Sequence, residues 1–82
     1  MEGKRAGIVF SYYSNIGVAA IKLERPLKMG DMIQVKGATT DFTQQVGSMQ
    51  VEHKTVKEAK KGQEIGIKVE DKVRKHDVVY LV

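Results

Sequence analysis

At 82 residues the chain has room for one domain, spanning residues 1–82, and none for a second. It contains no cysteine, which excludes disulfides and thiolate-held metals, and no apolar run approaches the roughly 20 residues of a membrane-spanning helix. Fourteen basic against ten acidic side chains leave a formal charge of +4, interleaved rather than blocked, which permits an anionic partner without demanding one. The start, "MEGKRAGIVFSYYS", has no signal-peptide apolar region, so a soluble cytoplasmic protein is expected. The wealth of Lys and Glu beside a single Asn suits a hot environment.

Apolar residues recur with a period of two. Residues 6–14, "AGIVFSYYS", are rich in aromatic and β-branched side chains and predict a first strand, ended by turn residues 15–17. In the second, "VAAIKLE", Ala19, Ile21 and Leu23 share one face and Lys22 and Glu24 the other. Pro26, the only proline, stops it. Leu27 and Met29 are expected to fold back onto apolar neighbours. Gly30-Asp31 supplies a turn in which Gly30 takes positive φ, and "MIQVKG" makes a third strand with Ile33 and Val35 inward.

Residues 38–43 read as a polar loop bearing Phe42. A fourth strand, residues 44–53, changes its inward parity between Val46 and Met49, which predicts a β-bulge at Gly47. Residues 54–62 have helical flavour for a turn near 55–61. "EIGIKVE" is the clearest strand, with Ile65, Ile67 and Val69 on one side, and residues 78–82 form the last. Six short strands spaced by Gly and Asp predict an all-β fold, closed into a small antiparallel barrel to remove its edges.

The segments "IKLERPLKMGDMIQVKG", "MQVEH", "KEAKKGQEIGIKV" and "KHDVVYLV", in that order, resemble the second domain of elongation factor Tu and related translational GTPases, a six-stranded β-barrel. The likeness runs from about Gly7 to Val82 and is nearest to the stand-alone archaeal elongation-factor-Tu-like proteins. A more distant similarity is to the small barrel at the carboxy end of U32-family peptidases. The first resemblance implies docking to ribosomal RNA or tRNA in translation. Lys22, Arg25, Lys28 and Lys36 would then meet phosphates, and Phe42, with Thr39 and Thr40 nearby, would stack a base or cap the barrel.

An enzyme is not expected. No "GxxxxGK[ST]", "NKxD" or "DxxG" element is present, so GTP is not a ligand. His53, expected half-buried at the barrel rim, and His76, in the charged turn "RKHD", lack partners at metal-ligand spacing. Ser48 sits in a strand rather than at the strained elbow that would make it a nucleophile with His53 and Asp41. The competing reading is a protein-interaction or self-association module. In that reading Val9, Tyr13, Val18 and Ala20 form an outward apolar patch on adjacent strands.

Overall fold

The computed structural model describes residues 4–82. Among the described residues there are ten strands: β1 (Lys4–Tyr13), β2 (Val18–Leu23), β3 (Leu27–Lys28), β4 (Met32–Lys36), β5 (Asp41–Gln45), β6 (Met49–Val51), β7 (Lys54–Thr55), β8 (Glu58–Ala59), β9 (Glu64–Lys68) and β10 (Val78–Leu81). Eight form one sheet in the order β5-β4-β10-β1-β2-β9-β6-β7, and β3 pairs with β8 in a second. Every pairing is antiparallel.

The period-two pattern sorts the side chains as the sequence predicts. Ala19, Ile21 and Leu23 from β2, Ile33 and Val35 from β4, and Ile65 and Ile67 from β9 meet in one core with Val79, Met49 and Leu27. At about 0.8 kcal/mol per buried methylene this aliphatic interior is the main stabilising term. Gly30 has φ 91°, as the turn requires, and the Asp31 carboxylate accepts a hydrogen bond from the Lys28 N–H at 2.9 Å.

The expected closed six-stranded barrel is not what forms. The sheet stays open, with β5 and β7 as its edges. Closure would need a ladder on the free side of β6, and a tight turn at Glu52-His53 folds β7 back onto that side. A side chain bridges the gap instead. The Gln44 carboxamide donates to the Lys68 carbonyl at 2.9 Å and accepts from the Glu70 N–H at 2.8 Å.

Further local expectations are corrected. Residues 54–62 hold two short extended pairs, not a helical turn. Met29 N–H donates to the Lys57 carbonyl, and β8 pairs with β3, drawing out a segment too short to nucleate a helix. Residues 38–43 are not all loop, because Asp41 begins β5. The predicted fourth strand is two strands: its parity change occurs in a break at residues 46–48, with Val46 and Met49 both buried. Met29 does not fold back; it is exposed, while Leu27 is buried.

Candidate functional site

Three surfaces bear on function. The first holds the basic positions singled out in the sequence. Lys22 is exposed on β2 and stands across the ladder from Glu64; Lys28 is exposed on β3 across from Glu58. Half-buried Arg25 turns its Nε–H onto the Arg5 carbonyl at 2.9 Å, and Arg5 pairs with Glu24 at 2.9 Å. Lys36, half-buried, ends β4 opposite Asp41 and Val78. An acid thus faces Lys22, Lys28 and Lys36 across a ladder, so the positive charge is spread among anions and not gathered into one field. Phe42 is half-buried against the core near the start of β5.

The second is an apolar patch on the outer face of β1, β2 and β9. Tyr13 is exposed and Val18 half-buried there, and Ala20 is nearly covered. Val9 does not belong to it: the side chain is 1% exposed, inside the core. The cause is a β-bulge. Val9 faces Ile21 but Ser11 faces Ala20, so Phe10 is the extra residue, thrown outward. Phe10 and Ile16, 36% and 58% exposed, replace Val9 and border a shallow cavity of about 230 Å³ with Val18, Ala20 and Gly66. Sequence reasoning missed Phe10 because it carried one parity through all of β1, and Ile16 because it read residues 15–17 only as a turn. Gly66 matters here, since a Cβ on it would come within 3.3 Å of Val18 Cγ1.

The third surface is a trough along the free side of β5. Residues 68–74 form its far wall; the Gln44 bridge borders a cavity of about 420 Å³, and a second of about 440 Å³ lies between residues 39–42 and 71–74. Gln45, Ser48 and Val69 line the first; Tyr12, Phe42 and Thr40 lie in the second.

The histidines sit on separate exposed turns, both at positive φ: His53 at 66° between β6 and β7, and His76 at 79° before β10. His53 is therefore not the half-buried rim residue expected. No group of three or more potential metal ligands comes together among the described residues. Behind His76, Asp77 is 5% exposed; its carboxylate accepts the Arg74 N–H at 2.8 Å and packs against Gly37. No helix among the described residues is long and apolar enough to cross a membrane.

No family model matches the chain. It is 44% identical over 77 residues to an uncharacterized protease of Methanocaldococcus jannaschii, covering 93% of this chain and 19% of that protein. It is 42% identical over 71 residues to a collagenase of Porphyromonas gingivalis, covering 84% of this chain and 20% of that protein. The chain thus spans about a fifth of the length of these curated relatives. Its fold matches crystal structures of the C-terminal domain of a candidate U32 peptidase from Geobacillus thermoleovorans. The TM-score is 0.90 at 21% identity, with 94% of this chain and 98% of that domain covered in one of them.

These matches support the resemblance to the U32 carboxy-terminal domain and lend none to the elongation-factor one. They also overturn the expected role in translation, because the relatives carry protease and collagenase names.

Proposed function

We propose that this chain is the non-catalytic accessory domain of a U32-type peptidase, working beside a larger catalytic part that handles polypeptide substrates. One observation carries the reading: nearly the whole chain aligns at 44% identity with only 19% of a protein named as a protease. About four fifths of that relative remains to house a catalytic centre. The domain's own interior is filled by aliphatic side chains, and its histidines stand apart on exposed turns.

The accessory domain needs a seat on the larger part, and the patch around Phe10, Ile16 and Val18 is the surface we assign to it. Those side chains are apolar and outward, and in a relative five times as long they have a neighbour at hand. Burying two such side chains contributes on the order of 3 kcal/mol.

A chimera tests the reading. The matched segment of the Porphyromonas collagenase is deleted, then replaced by this chain, and hydrolysis of denatured collagen is compared. We expect no hydrolysis by the chain alone, weak hydrolysis by the truncated enzyme, and recovery in the chimera that Phe10→Asp removes. Hydrolysis by the purified chain, or a chimera no better than the truncated enzyme, would overturn it.

A further inference from the structure

The two edges of the large sheet are built differently. β7 is two residues long and begins with Lys54; shortness and lysine are how sheet edges are protected against added strands. β5 runs for five residues, "DFTQQ", with neither lysine nor proline. Two hydrogen bonds bracket it and set its phase: Gly37 N–H to the Thr40 carbonyl, and Val46 N–H to the Asp31 carbonyl. With Phe42 opposite Val35 and Gln44 opposite Ile33 between them, residues 40, 42, 44 and 46 direct their backbone groups to β4. The N–H and C=O of Asp41, Thr43 and Gln45 therefore point away from the sheet, and all three residues are exposed.

Of these three, Gln45 borders one cavity of the trough and Asp41 the other, with Thr43 between them on the same edge. Gln44, 5% exposed, crosses the floor of the trough, donating to Lys68 and accepting from Glu70, two residues apart. One donor and one acceptor answered by residues two apart is how a single residue bonds in a parallel ladder. A side-chain amide thus stands in for one residue of a missing strand; it borders the cavity of about 420 Å³, and the cavity of about 440 Å³ lies between residues 39–42 and 71–74.

We infer that the trough binds an extended polypeptide, which adds as a strand to β5 and pairs through its main chain with Asp41, Thr43 and Gln45. Resting on the peptidase reading above, this makes the domain a grip for unfolded substrate chain. Main-chain pairing accepts many sequences, as a domain handling varied polypeptides requires. Alternate ligand side chains enter the cavity bounded by Tyr12 and Phe42 together with Asp41, Asp71, Lys72 and Arg74, so a side chain with an apolar body and a polar end, such as tyrosine, is favoured there.

The test uses the full chain and a fluorescein-labelled eight-residue peptide of alternating threonine and valine. Saturable binding that slows hydrogen exchange at the Thr43 and Gln45 amides is expected. Thr43→Pro removes an outward N–H without touching the β4 ladder and should weaken binding about tenfold. Thr43→Val keeps the N–H and should bind as the parent does. If Thr43→Pro fails to fold, the same peptide N-methylated at alternate amides makes the equivalent cut from the ligand side. Undiminished binding after either cut would overturn the inference, as would protection confined to β7. So would Thr43 and Gln45 protection that rises with protein concentration alone, which marks a second copy as the occupant. Each of these leaves the accessory-domain reading standing, whereas a failed chimera with intact peptide binding overturns that reading and not the trough.

Discussion

Gly37 and Asp77 are 40 positions apart and solve one problem together. A Cβ on Gly37 would overlap the Asp77 carboxylate, which is held in place by the Arg74 N–H. Glycine is required here for close approach, not for positive φ. Gly37→Ala should cost about 2–3 kcal/mol, read from chemical denaturation, through overlap with a group that has nowhere to move. Asp77→Ala on its own should cost about 1–2 kcal/mol, because the turn loses its acceptor. The double variant should cost less than the sum, since the shortened side chain makes room for the methyl. Fully additive losses would show that the two do not meet. Both residues lie in the sequence segments that carry the family resemblance, "IQVKG" and "KHDVV", yet nothing in either stretch marks the other as its partner.

Among the elements, the β6–β7 hairpin is the one whose sequence works against its geometry. Glu52 and His53 occupy the two turn positions at φ 51° and 66°. A two-residue turn with both φ positive is the type that favours Asn-Gly. Each side chain held in the left-handed region costs about 1 kcal/mol. Replacing the pair by Asn-Gly should raise stability by about 1 kcal/mol, seen as a higher melting temperature with an unchanged fold. A fall would mean that the Glu52 or His53 side chain contributes something the backbone geometry does not reveal. The turn was invisible to pattern reading because "VEHKTV" holds no glycine, and its run of four polar residues reads as a strand giving way to a helical turn. The bulge at Phe10 was hidden for the same reason: an aromatic run offers no residue that announces a break.

At the scale of the whole molecule, Gln44 fastens the free edge of the sheet to the segment after β9. Gln44→Leu keeps the size and removes both hydrogen bonds, leaving the Lys68 carbonyl and Glu70 N–H without this partner. A loss of about 2–3 kcal/mol is expected, with faster amide exchange concentrated at Glu70 and along β5. Exchange that speeds up uniformly would show instead that the seam is no weaker than the rest. The same openness gives the molecule its trough, so the feature that departs most from a closed barrel is the one to which we assign substrate contact.

Period-two alternation was enough to establish an all-β chain and to place Ala19, Ile21 and Leu23, Ile33 and Val35, and Ile65, Ile67 and Val69 on the buried side. It also located the parity change between Val46 and Met49. Alternation works because it reports a local fact, the face each side chain takes on its own strand. Which strands become edges, where the sheet stops and what spans the gap were decided by the tertiary structure alone. Those choices are made by backbone N–H and C=O groups, which nearly every residue carries alike, pairing across dozens of positions. Gln44 sits in the sequence as one of two adjacent glutamines, and only the position of Lys68 and Glu70 across the seam makes it the bridge.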